Sequence, residues 1–344
     1  MDFELLVGIF PQVLLDGLLL GFMYALIALG YTMVYGVLEF INFAHSEIFI
    51  VGAFVGVEIL LGLKNAAVLE TVPWPIVLVG VMLAGMLASG VLAVSIERVA
   101  YRPLRAAPRL IPLISAIGMS FFLQDVIRLV ESLWRNAFNL VYPTLEPLNE
   151  RFELTTTIDV SAKSLVVIVV ALLMLWGLHA LVNRTKIGTA IRAVAEDQAA
   201  ASLMGIDVNR IISLTFLIGG AMGGAAGVLF GVQYSLINPY TGFIPGLKAF
   251  TAAVLGGIGN IPGAMLGGIL LGIVEALGAG YIGDLSDLCS VEWIAGFLPQ
   301  HCEGGGHFIL FGSNYQDVFA FLVLILVLVL RPSGLLGERV GERA

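Results

Sequence analysis

Four side chains able to bind a polar solute or pass a proton fall within nine positions of a very apolar chain. They are Glu39, Asn42, His45 and Glu47, in "EFINFAHSE" (39–47). The run sits at a turn between apolar stretches near 12–36 and 41–63, and positions 35–47 hold no Lys or Arg. A charge at the centre of a bilayer costs on the order of 2.5–3.5 kcal/mol on insertion scales, so one held at depth marks a path or a pair. The chemistry open to these residues is hydrogen bonding along a solute path. A proton relay joined by Glu275 is the alternative. Plain interfacial residues are the bland reading. Metal binding is not indicated, because HExxH is absent and the four histidines are scattered.

A second break is "GGIGNIPG" (256–263). Gly256, Gly257, Gly259, Asn260 and Pro262 suit a sharp turn at membrane depth. Irregular backbone is tolerated there only where protein or water covers it. Broken helices of this kind line transport paths. We therefore expect Gly256, Gly257, Gly259 and Asn260 to approach the same central cavity as "INFAH" (41–45); a plain surface loop is the alternative.

These residues must be positioned by membrane helices. The chain has 344 residues, 59% of them hydrophobic and only 12% charged, against about 25% charged in soluble domains. Apolar runs of about 20 residues recur, the length a helix needs to cross roughly 30 Å. Alternating strands of a membrane barrel are absent. The expected fold is all-α: a polytopic transmembrane bundle of about eight spans, near 12–36, 41–63, 74–97, 110–131, 164–183, 210–233, 262–279 and 316–330. Residues 1–344 read as one domain with outer loops at 132–163 and 280–315. The start "MDFELLVGIF" does not read as a signal peptide, and no nucleic-acid footprint is present.

Basic residues orient the spans. Arg98, Arg102, Arg105 and Arg109 share one loop; Arg184, Lys186, Arg192 and Arg210 another; Arg331, Arg339 and Arg343 the tail. The positive-inside rule puts all three in the cytoplasm. Segment 280–315 has no Lys or Arg and carries Asp284, Asp287, Glu292 and Glu303, so it lies outside. These assignments conflict if 243–279 crosses once. They agree if 243–256 dips in from outside, turns at "GGIGNIPG", and 262–279 climbs back. Glycines four apart in 219–231 and 263–272 predict close helix packing. Asp125, Arg128 and Glu131 read as an ion-pair row on one helix.

Between two spans lies "RTKIGTAIRAVAEDQAAASLMGIDVNR" (184–210). Asp197 suits an N-cap and Gly205 a helix stop. A helix of about two turns is unstable alone in water, and Ile187, Ile191, Val194, Leu203, Met204 and Ile206 need cover. A cytoplasmic partner is the simplest cover; folding back on the chain's own bundle is the other.

The only cysteines, Cys289 and Cys302, fall in the outer segment. An oxidising compartment permits a disulfide there, contributing about 3 kcal/mol by chain entropy. Free thiols are the alternative, and a metal reading of His301, Cys302 and His307 ranks well below both.

"AAASLMG" (199–205) is similar to the loop pattern Glu-Ala-Ala-x-x-x-Gly of ATP-binding-cassette (ABC) importer permeases, with Ala199 where Glu stands and without the later Leu-Pro. Stretches 21–54, 187–229, 254–277 and "RPSGLLG" (331–337) together resemble permeases of the branched-chain amino acid ABC importers, in order and over most of the chain. The resemblance implies a permease subunit of the bacterial or archaeal inner membrane, carrying branched-chain or other neutral amino acids. It implies a second homologous permease, two cytoplasmic ATPases and an external binding protein as partners, and no cofactor. Segment 184–209 would then couple to the ATPases through Arg192, Glu196, Asp197, Ala200, Ala201, Leu203 and Gly205. No GxxxxGK[ST] phosphate loop occurs, so ATP would be hydrolysed by the partners and this chain is not read as an enzyme. An ion-coupled transporter, or an importer for urea or short amides, is the alternative.

Overall fold

The computed structural model describes residues 3–38, 40–69, 71–105, 107–108, 110–155, 158–282, 316–331 and 333–337. Glu39, Cys289, Cys302 and nearly all of segment 280–315 lie outside the described residues.

Helices dominate: α1 (Phe3–Leu38), α2 (His45–Asn65), α3 (Trp74–Ile96), α4 (Leu110–Trp134), α5 (Ala162–Arg184), α6 (Lys186–Glu196), α7 (Gln198–Leu203), α8 (Val208–Tyr234), α9 (Phe243–Gly256), α10 (Ile261–Leu277) and α11 (Gln316–Leu330). Among the described residues seven helices are long and apolar enough to cross a membrane, and α9 and α11 are shorter apolar helices. With α11 these give the expected eight spans. At 1.5 Å per residue, the 14 residues of α9 reach only about 21 Å, which suits a segment that enters and turns.

Small residues decide what packs at the centre. A Cβ on Gly224 of α8 would overlap the backbone of Gly85 on α3, and one on Gly272 of α10 would overlap Gly21 on α1. Helix backbones that close gain dispersion contacts that lipid cannot replace. Thus α8 is the most enclosed span, while α5 leaves Leu172, Leu173 and Trp176 exposed, as a lipid-facing helix should.

Contacts sort the helix ends into two sets. On one side β1 (Leu140–Val141) pairs antiparallel with β4 (Leu236–Ile237), Gln12 bonds Asp159 of β3 (Ile158–Ser161), and β3 pairs with β2 (Arg151–Thr155). Loop 132–163 therefore carries short strands. On the other side Arg105 bonds Asn209, Gln198 bonds Val37, and the tail bonds Gly256. The described parts of all three basic segments fall in this second set, in accord with the positive-inside assignment. The expected ion-pair row is only partly formed. Arg128 lies 4.0 Å from Asp125, but Glu131 is turned inward and buried.

Candidate translocation site and cytoplasmic element

The break between α1 and α2 is sunk in protein. Asn42 is 2% exposed, and His45 and Glu47 are fully buried, so the interfacial reading does not hold for these three. A Cβ on Gly30 of α1 would overlap the His45 ring, and one on Gly223 of α8 would meet it at 3.4 Å. Tyr31 packs edge-on at 4.6 Å. Gly223 lies about 22 Å along α8 from its start at Val208 and about 17 Å from its end at Tyr234 at helical rise. His45 is thus level with the middle of the bundle. Asn42 accepts a 2.7 Å bond from Tyr101. One Glu47 oxygen accepts from Ser46 (3.1 Å), Ser120 (3.2 Å) and Gln124 (2.9 Å), while the other has no hydrogen-bond partner.

The neighbour of this break is the start of α9. A Cβ on Gly242 would touch the Ser46 carbonyl and reach the free Glu47 oxygen at 3.4 Å, and one on Gly246 would overlap the Ser46 side chain. Two helix N-termini therefore meet beside a buried carboxylate. N-termini carry partial positive charge and unpaired N–H groups, so the place suits an anion or a polar headgroup.

The expected shared cavity is corrected at its other end. The "GGIGN" turn is covered by the tail: Leu335 N–H donates to the Leu255 carbonyl at 2.9 Å, Leu336 N–H to Gly256 at 3.0 Å, and Asn260 Nδ2 to Leu336 at 2.9 Å. Gly257, at φ +104°, leaves no room for a side chain against Gly337, while Gly259 is exposed with open space around it. The C-terminus of α9 lies against the tail, on the side of the basic segments. Its N-terminus meets the sunken break. Glu275 does not join His45 and Glu47 as a relay; its oxygens are held by Lys248 at 2.6 Å and Tyr24 at 3.0 Å.

Segment 184–209 folds as α6 and α7 with a cap at each joint. Thr185 accepts from the Gly188 N–H, Asp197 from those of Ala199 and Ala200, and Asp207 from that of Arg210. Gly205 closes α7 at φ +84°. Ile191, Val194 and Ala201 are buried against the chain's own bundle. Ala201 is therefore corrected as a docking residue: its methyl group is inside. Ala200, Leu203 and Met204 face outward, the last two 89% and 83% exposed. Arg192 and Glu196 lie on the exposed side too, Arg192 within 3.4 Å of Asn183. Gln198 Nε2 donates to the Val37 carbonyl at 3.2 Å, joining α7 to the end of α1 next to the sunken break.

Two charge clusters escaped the sequence reading. Buried Glu97 accepts from Arg102 at 3.0 Å, from Arg105, and from Ser213 at 2.7 Å, and Arg105 also holds Asn209 at 2.8 Å. Burial pushes the Arg105 guanidinium down, opposed by Glu97. This cluster ties the end of α3 to the residues that follow the α6–α7 element. The second joins Lys248 of α9 to Glu275 of α10 and, at 2.5 Å, to Asp317 of α11. Lys248 and Glu275, each a charge within an apolar helix, were its local signals, but nothing local pairs them.

The chain is a membrane-helix bundle with a break sunk at mid-depth and a capped helical pair on the side of its basic segments. The family model described as branched-chain amino acid transport system / permease component matches residues 13–328. The chain belongs to that family. It is 44% identical to the high-affinity branched-chain amino acid transport system permease protein BraD of Pseudomonas aeruginosa, over 96% of this chain and 97% of that protein. It is 42% identical to LivH of Escherichia coli K12, described in the same words, over 97% of each. An archaeal relative, the probable branched-chain amino acid transport permease protein LivH of Methanocaldococcus jannaschii, is 27% identical over 91% of this chain and 88% of its own length. No solved structure matches.

Proposed function

We propose that this chain forms the translocation path for branched-chain amino acids in an ABC importer of the inner membrane. A second homologous permease, two cytoplasmic ATPases and an external binding protein complete the assembly. One observation carries the reading. The α6–α7 element presents Leu203 and Met204 outward while its opposite side is bonded to Val37, near the sunken break. A push on the element from an ATPase therefore reaches α1 and the start of α2. Arg192, Glu196, Asp197, Ala200 and Leu203 belong to the docking side, and Gly205 sets its end.

The path passes Asn42, His45 and Glu47. An amino acid with an apolar side chain needs small apolar walls and a few polar groups for its zwitterion; weak, successive contacts favour release. The two N-termini suit the carboxylate, and Glu47 suits the ammonium group. Reconstitution of the permeases with their ATPases and binding protein tests this: leucine uptake should need ATP and all components. Uptake by the permeases alone, driven by a proton gradient, would sink it.

A further inference from the structure

A cavity of about 270 Å³ opens in the outer half of the bundle, between α1, α5, α8 and α10. Its walls are aliphatic, from Leu19, Leu20 and Met23 of α1 and Val167 of α5. Its polar groups are Asp16, Gln233 and Tyr234. The Gln233 Nε2 points to Ser164 at 3.5 Å, which leaves its buried Oε1 with no hydrogen-bond partner. One Asp16 oxygen receives Gln12 at 3.1 Å. Asp16 is exposed and brings a carboxylate to the cavity, while the Gln233 Oε1 is enclosed by protein. A carboxylate accepts strongly from charged N–H donors, so a ligand that brings N–H groups is favoured. Behind the wall, Tyr24 and Glu275, the chain neighbours of the lining residues Met23 and Ala276, are hydrogen-bonded. Glu275 lies in the Lys248 cluster, where two carboxylates face one ammonium. The surroundings are therefore biased toward cations.

We infer that this cavity is an outer entry subsite that holds an aliphatic amino acid by its ammonium group, at Asp16 beside the Gln233 side chain, with the branched side chain against Leu20, Met23 and Val167. The inference rests on the substrate class proposed above and adds a place where the solute waits before the sunken break. Tyr234 supplies a phenolic donor for the carboxylate at the open mouth. The cavity holds one such solute, and its aliphatic walls set the side-chain size.

The test uses the complete importer in proteoliposomes. A diazirine analogue of leucine, photolysed after loading, should label Met23 or Val167, and excess leucine should abolish the label. Asp16→Asn should lower leucine uptake per ATP hydrolysed at least tenfold. Val167→Phe should cut leucine uptake several-fold more than valine uptake, a size dependence that a merely unfolded variant does not give. Wild-type uptake by both variants, or label removed by phospholipid and not by leucine, would overturn the subsite and make the cavity a lipid crevice. A wild-type importer that carries no branched-chain amino acid would overturn the substrate reading itself, and this inference with it.

Discussion

Gly246 of α9 rests on Ser46 of α2 with no room for a side chain between them. The contact fixes where the two broken helices meet, at mid-depth and beside Glu47. Gly246→Val should force the pair apart. Leucine uptake by reconstituted importers is expected to fall more than tenfold while the ATPases remain attached. Ser46→Gly in the same chain should restore part of it, because the overlapping atoms are those of the serine side chain. No restoration would mean that the glycine serves something other than this contact.

The outward face of α7 should be separable from its inward face. Leu203→Asp and Met204→Asp are expected to reduce co-purification of the ATPase more than tenfold. Bundle stability should change by less than about 0.5 kcal/mol, as for other exposed sites. Ala201→Asp should act differently, since it buries a charge against the chain's own core. Limited proteolysis should then cut within 184–209. Equal protease resistance of all three variants would contradict the assigned faces.

Glu97 neutralises two arginines from a buried position. Glu97→Ala leaves Arg102 and Arg105 without their carboxylate. Breaking a buried pair from one side costs about 3–5 kcal/mol; Arg102 is 37% exposed, which places the loss at the low end, about 3 kcal/mol. Thermal unfolding in detergent measures it, and an unchanged midpoint would rule out the cluster as a tie between α3 and α8.

The two glycines of the inner turn should differ. Gly257→Ala drives a methyl group into Gly337 and should release the tail, seen as faster protease cleavage at 333–337. Gly259→Ala meets only backbone strain at φ +89°, roughly 1–2 kcal/mol, and should keep the tail bound. Identical tail cleavage in both variants would contradict the strap.

Gln198 reaches Val37 through a side chain alone. Gln198→Ala should leave the ATPase docked and lower the amount of leucine carried per ATP several-fold. Gln198→Glu cannot donate this bond as a carboxylate and should behave likewise. Full coupling in both variants would remove the hydrogen bond from the relay.

The sequence by itself determined the spans, the grouping of the basic segments on one side and the cap and stop of α7. Each is a local property: a run of apolar residues long enough for the bilayer, a bias of Lys and Arg between loops, an Asp placed two or three residues before the N–H groups it accepts. It also showed that residues 39–47 and 256–263 break helices, because Gly, Pro and charge interrupt the pattern. Tertiary structure alone decided which breaks meet. Contacts such as Ser46 with Gly246, Lys248 with Glu275, and Glu97 with Ser213 join residues far apart in the chain, and no periodicity encodes such pairings. The same holds for Ala201 against Leu203. Both are apolar and two residues apart, so they differ only in which side of a short helix the rest of the bundle covers.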